Sequence, residues 1–199
     1  MIKAVIFDWG SVVAPDSDGG WMGAFARLTG LEGDELKSVW SYSYKGLSSG
    51  EIDFDIFWQR VHEKTGKDYP DDKNSIWKDG LSGEPWTEVV EYAKKLRGRG
   101  IKTAVLSNTI AYLESMPWFP SDYDGFDPLI FSHQVGLAKP DIAIYELVLQ
   151  QLNLKPEECI FIDDIEKNLL PAQELGMQTV LSPKTPEGVI AELDKALFA

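Results

Sequence analysis

Apolar and polar positions divide the chain into two kinds of segment. Three short apolar runs each stop abruptly at polar residues: Ala4-Val5-Ile6-Phe7 at Asp8, Thr103-Ala104-Val105-Leu106 at Ser107-Asn108, and Cys159-Ile160-Phe161-Ile162 at Asp163-Asp164. Runs of this length without polar alternation predict strands covered on both faces, as in a parallel sheet. Helical spacing fills the intervals. Trp86, Val89, Val90, Ala93 and Leu96 mark one helix, closed by Gly98 and Gly100. Ile144, Tyr145, Val148, Leu149 and Leu152 trace another apolar face. Asn168 to Leu175 reads as a third helix, in which Pro171 is tolerable only near the first turn. Thr185-Pro186 predicts a cap followed by proline at the first helical position. The alternation from about residue 86 onward predicts a doubly wound α/β core.

Residues 15–85 break that rhythm. Trp21–Leu28, Asp34–Tyr44 and Ile52–Val61 carry helical patterns, separated by Gly30, Gly46, Gly50 and Gly66, and no strand-like run lies among them. The segment reads as a mostly helical insertion after the first strand. Its aromatics (Trp21, Trp40, Phe54, Phe57, Trp58, Trp77) serve mainly as its own core. The expected organisation is an α/β core from residues 1–14 and 86–199, with the helical insertion at 15–85.

Composition narrows the class. With 199 residues and 44% hydrophobic positions, the chain can bury a substantial core without disulfides or structural metals. The single cysteine, Cys159, lies inside an apolar run and reads as buried and structural, so a reducing compartment is expected. A formal net charge of −13 with no Lys/Arg-rich run repels nucleic acid and anionic lipid, so neither is expected as a partner. The first eight residues are too short and too soon charged for a signal peptide, and no apolar run approaches a membrane span. A soluble, cytoplasmic protein, monomeric or dimeric, is the expectation.

Ligands of open α/β sheets bind outside the carboxyl ends of the strands. Asp8, Ser107, Asn108, Asp163 and Asp164 occupy that edge if the three runs are neighbouring strands, with Lys139 in reach. Oxygen-only donors of this kind suit Mg²⁺, and no His/Cys cluster points to zinc. Each element has a plainer reading. Asp8 could cap a turn, Ser107-Asn108 a helix, Asp163-Asp164 could be solvated carboxylates at a helix start, and Lys139 a loop lysine. That all four fall at strand ends or helix starts in one order favours a shared site.

The order resembles that of the haloacid dehalogenase-like hydrolases. Phe7-Asp8-Trp9-Gly10-Ser11-Val12-Val13 is similar to their first motif, a strand ending in the nucleophilic Asp. Leu106-Ser107-Asn108 resembles the second, Gly136-Leu137-Ala138-Lys139-Pro140-Asp141 the third with its lysine, and Phe161-Ile162-Asp163-Asp164, followed by Asn168, Ala172 and Gly176, the acidic fourth. The resemblance spans the chain and places the insertion where such proteins carry a helical cap. Gly50-Glu51-Ile52 leading to Phe57-Trp58 resembles the cap of a subgroup that includes sugar-phosphate phosphatases.

The resemblance implies a Mg²⁺-dependent phosphatase acting on a small phosphorylated metabolite. Asp8 would be the nucleophile. Asp8, Asp164 and the Gly10 carbonyl would hold the metal, with Asp163 behind them or acting through water. Ser107, Asn108, Lys139 and the backbone N–H groups of Trp9 and Gly10 would hold phosphate oxygens. One position departs from the pattern. Family phosphatases usually carry a general-acid Asp two residues after the nucleophile, where this chain has Gly10; Asp16 or Asp18 is a candidate substitute. Besides a slow or specialised phosphatase, Gly10 leaves open a metal-independent dehalogenase and a catalytically silent binding protein. Trp9 offers either a wall of the substrate entrance or packing beneath the cap, and Tyr44 and Lys45 are candidate specificity residues. His62 and His133, with no partner at a telling spacing, read as surface or satisfied histidines. Trp118-Phe119, between Pro117 and Pro120, reads as a packed loop or contact surface.

Overall fold

A computed structural model describes residues 1–81, 83–116, 119 and 121–198; Pro117, Trp118 and Pro120 of the apolar loop lie outside the described residues. Five strands form one parallel sheet: β1 (Ala4–Phe7), β2 (Lys102–Ser107), β3 (Leu129–Phe131), β4 (Cys159–Asp163) and β5 (Gln178–Leu181), in the order β3-β2-β1-β4-β5. The three expected strands are its centre. In register, Phe7 lies opposite Val105 on one side and Ile162 on the other, so Asp8, Ser107 and Asp163 come out at the same edge of the sheet. The two strands not anticipated are the edges. β3 has three residues, and β5 leaves Gln178 and Leu181 exposed, so neither carries the continuous apolar signature of a doubly covered strand.

Alternation along the strands separates two cores. Val5, Phe7, Val105, Ile160 and Ile162 face α5 (Thr87–Gly98) and α9 (Pro186–Phe198). Ala4, Ile6, Ala104, Leu106, Cys159 and Phe161 face α7 (Ile142–Leu152) and α8 (Glu166–Leu175). Both faces are covered, which is why the central strands read as unbroken apolar runs. Cys159 is buried as expected, and burial pushes its thiol up to about 12, away from reactivity. Thr185 caps α9, its Oγ1 accepting from the Gly188 N–H at 3.2 Å, with Pro186 at the first position. Pro171 corrects the expectation for α8. The helix starts at Glu166, so the proline lies in its second turn rather than its first, and the Lys167 carbonyl loses its usual i+4 donor.

Between β1 and α5 the chain forms α1 (Gly20–Thr29), α2 (Gly33–Tyr44), α3 (Phe54–Thr65) and the short α4 (Ser75–Asp79), with no strand among the described residues there. The first three match the expected helical patterns, and α4 was not anticipated. Phe25, Phe57, Trp58, Ile76 and Trp77 make a separate apolar cluster, joined by Ile110 from beyond β2. Three of its indoles are paired: Trp58 and Trp77 both donate Nε1–H to Asn74 Oδ1, at 2.8 and 3.0 Å, and Trp21 donates to the Trp77 carbonyl at 3.0 Å. Two chain crossings tie these helices to the sheet. Gly83 N–H donates to the Pro15 carbonyl at 2.9 Å and Trp86 N–H to the Val13 carbonyl at 2.8 Å. No described helix is long and apolar enough to cross a membrane.

Phe57 is fully enclosed by Phe25, Trp40, Trp58 and Trp77. Phe57→Ala is expected to cost about 3–5 kcal/mol in urea unfolding, as buried aromatic truncations do. A loss below about 1 kcal/mol would mean that the cluster collapses around the gap without cost.

Candidate active site

Asp8 follows β1 directly, its backbone N–H donating to the Ile162 carbonyl at 2.9 Å, so the strand end fixes its position. Lys139 reaches it from the loop after α6 (Ser132–Val135). The Lys139 ammonium lies 2.9 Å from Asp8 Oδ1 and 2.6 Å from Asp163 Oδ2, with its side chain 1% exposed. Asn108 anchors that loop: its amide donates to the Lys139 carbonyl at 2.9 Å and its Oδ1 accepts from the Lys139 N–H at 2.8 Å. The Asn108 side chain is therefore committed to positioning Lys139. Its second amide N–H is not used in this clamp, and Asn108 lines the cavity.

Asp163 is the most enclosed of the three carboxylates. Besides Lys139, it accepts from the Ile165 N–H at 2.8 Å and from Asn168 Nδ2 at 3.1 Å on both oxygens. That saturates a carboxylate and makes Asp163 the anchor of the lysine. Asp164 points the other way, into the cavity, and pairs with Lys184 at 2.9 Å. Oxygen atoms of Asp8, Asp163 and Asp164 lie within 4.8 Å of one another. Asp8 and Asp164, with Asp163 behind them, offer oxygen and no nitrogen or sulfur donors, which matches the preference of a hard divalent cation such as Mg²⁺. The donor set fits.

Burial pushes the Asp8 carboxyl up to about 7; Lys139 pulls it down, and Asp163 adds to the rise. Desolvation works to lower the Lys139 value, but Asp8 and Asp163 outweigh it and hold the ammonium charged.

A cavity of about 240 Å³ opens above this cluster. Asp8, Gly10, Ser107, Lys139 and Asp164 line its floor, and Trp21, Gly80 and Leu81 of the helical segment line it from the other side. Trp9 also borders it, but the ring is buried, with Tyr123 at 4.0 Å and Phe126 at 6.0 Å between ring centroids, and the Trp9 N–H bonds the Asp8 carboxylate. Trp9 thus packs into the sheet core rather than flanking an open entrance. Asp16 lines the cavity, whereas Asp18 is exposed beside Arg27 at 3.8 Å and does not. Tyr44 stacks on Trp40 at 4.6 Å within the helical cluster, and neither Tyr44 nor Lys45 is among the residues lining the cavity.

Both histidines have partners that the sequence reading missed. His62 lies 3.0 Å from Asp68. His133 Nδ1 lies 2.6 Å from Thr109 Oγ1 and its Nε2 3.2 Å from Glu114 Oε1, joining α6 to the segment after β2. Lys184 was also missed. It stands twenty residues beyond Asp164, past β5, and only the sheet brings the two together.

A model of haloacid dehalogenase-like hydrolases matches residues 2–176. The chain belongs to that family. Among curated relatives, it is 30% identical to the acyl-CoA dehydrogenase family member 10 of Mus musculus over 98% of this chain, and it spans only 19% of that protein's length. It is 26% identical to the D-ribitol-5-phosphate phosphatase of Bacteroides thetaiotaomicron, over 90% of this chain and 91% of the relative. A solved family enzyme of Bacteroides thetaiotaomicron, in complex with magnesium and inorganic phosphate, superposes with a TM-score of 0.69 at 25% identity, covering 91% of this chain and 94% of that one. The family, the α/β fold and the presence of phosphatases among the relatives follow from these matches.

The raised Asp8 value carries a linkage consequence. In metal-free protein the folded state holds its proton up to about 7 while the unfolded state releases it near 3.8, so the Asp8 contribution falls as pH rises through that interval and is flat above it. In EDTA, the melting temperature of Asp8→Asn minus that of wild type is expected to rise with pH over this window and then level off. A difference independent of pH in thermal melts would mean that the carboxyl is not perturbed.

Proposed function

We propose that the protein is a Mg²⁺-dependent phosphatase that hydrolyses a small phosphomonoester through an aspartyl-phosphate on Asp8. The observation that carries this reading is the meeting of Asp8, Lys139 and Asp164 on the floor of one cavity at the carboxyl edge of the sheet. Residues 15–85 act as a cap, residues 1–14 and 86–199 as the catalytic core.

The chemistry follows from the placement. An Asp8 carboxylate oxygen attacks phosphorus, the bond to the leaving oxygen breaks, and a difficult displacement is divided into two easier ones. Lys139 supplies fixed positive charge where negative charge gathers on the phosphoryl oxygens, in a site too dry to screen it. The Ser107 hydroxyl and the backbone N–H groups around Gly10 and Asn108 bind the oxygens that do not react. Asp8, Asp164 and the Gly10 carbonyl would hold Mg²⁺, with Asp163 supporting them through Lys139 and Asn168. Bound there, the cation neutralises phosphate charge and keeps Asp8 ionised despite its burial. Water then attacks the aspartyl-phosphate, the Asp8–phosphate bond breaks, and inorganic phosphate leaves.

The acidic cluster favours this reading over a dehalogenase, in which Asp8 would attack carbon and a second cavity-facing carboxylate would be a liability. It also favours catalysis over a silent binding role, since burying Asp8 and Lys139 costs several kcal/mol that an apolar pair would not. Relatives named as phosphatases support it. With p-nitrophenyl phosphate, the expected result is Mg²⁺-dependent release of p-nitrophenol, lost in EDTA and lost in Asp8→Asn. Hydrolysis that survives in Asp8→Asn overturns the assigned nucleophile, and chloride release from a 2-haloacid without metal selects the dehalogenase.

A further inference from the structure

We infer that Asp16 is the general acid and base of this site, supplying from the cap hinge what Gly10 does not; the inference rests on the phosphatase reading above. The residues lining the cavity reduce the possibilities. Its carboxylates are Asp8, Asp16 and Asp164. Asp8 is the nucleophile and Asp164 is assigned to the metal; Lys184 pairs with Asp164 at 2.9 Å and also feels the charge of Asp16. Lys139 is kept charged between Asp8 and Asp163. Burial raises the Tyr123 phenol well above its ordinary value, and no histidine lines the cavity among the described residues. Serine and threonine hydroxyls are too weakly acidic to protonate an alkoxide on their own.

Asp16 is also held in place. Residues 9–14 fold into a tight return: Ser11 takes a left-handed backbone, φ 55°, with its N–H donating to the Ala14 carbonyl at 2.7 Å, while the Ala14 N–H donates to the Trp9 carbonyl at 3.1 Å. From across the sheet, Ser182 Oγ donates to the Ser11 carbonyl at 2.6 Å. The Ser11 hydroxyl donates to Asp16 Oδ2 at 3.0 Å. One residue earlier, the Pro15 carbonyl accepts from Gly83, pinning the outgoing cap crossing to the returning one. Asp16 is thus fixed on the wall of the cavity that also holds Asp8, beside the crossing from the sheet to the helical segment, and Gly10 on the same wall has no side chain. In the first step, protonated Asp16 gives its proton to the leaving oxygen as the phosphorus–oxygen bond breaks. In the second, the Asp16 carboxylate takes a proton from the water that attacks phosphorus, and Asp8 departs as a carboxylate.

A leaving-group series tests this with Mg²⁺-loaded wild type and Asp16→Asn on p-nitrophenyl phosphate and phenyl phosphate. Nitrophenolate departs without help and phenolate does not. Asp16→Asn is therefore expected to lose about 10²–10⁴-fold in kcat/KM on phenyl phosphate, the usual worth of a positioned acid, and distinctly less on p-nitrophenyl phosphate. An equal loss on both substrates, or no loss on either, overturns the proposal. If Asp16→Asn does not fold, Ser11→Ala, which removes only the hydroxyl holding Asp16, carries the same expectation at smaller size. Wild type inactive on both esters is the separate failure of the phosphatase reading itself.

Discussion

The ammonium of Lys139, buried between Asp8 and Asp163, is the interaction on which the rest of the site depends. Taking these charges out of water costs several kcal/mol per ion, and the cost is met only when geometry is good and the remaining oxygens find donors. Here they do. Asp163 is saturated by Lys139, Ile165 and Asn168, and the Lys139 backbone is clamped on both sides by Asn108. The arrangement leaves one carboxylate, Asp8, incompletely compensated and facing a cavity. A buried carboxylate whose acidity is weakened by its surroundings, facing a cavity, is a candidate functional group.

The division of labour among the carboxylates follows from their depth. Asp163 and Asp164 are neighbours on one strand end, and alternation sends them to different surroundings, the first into the core and the second into the cavity. Lys184 balances the second from outside. Lys139 and Lys184 thus offset part of the negative charge that Asp8, Asp163 and Asp164 bring to the cavity.

The helical segment completes this arrangement without contributing to the charged floor. It holds itself together through an aromatic cluster in which the indole N–H groups of Trp21, Trp58 and Trp77 are paired, and it meets the sheet through Ile110 and the two hydrogen-bonded crossings at Pro15–Gly83 and Val13–Trp86. The cavity's upper wall, from Gly20 and Trp21 to Gly80 and Leu81, comes from the ends of that segment nearest the two crossings. Shape at the substrate end is thus tied to how the crossings are held, which is where Ser11 and Asp16 also sit.

Much of this was legible in the residues alone. The central strands, the helices that flank them and the polar stops at Asp8, Ser107 and Asp163 follow from local apolar patterning, because a strand covered on both faces leaves an unbroken run and a strand end is where it breaks. The edge strands β3 and β5 escaped, since an edge buries too little to write such a run. The partners of His133, the Lys184–Asp164 pair and the commitment of Asn108 to Lys139 also escaped. Each joins positions at least nineteen residues apart in the chain, brought together only by strand order and loop packing. The sequence by itself determined which residue types stand at the sheet's carboxyl edge, because local periodicity places them there. Only the tertiary structure decided which carboxylate is buried, which faces the cavity and which of Asp16 and Asp18 reaches it, because burial and direction are properties of packing between distant segments.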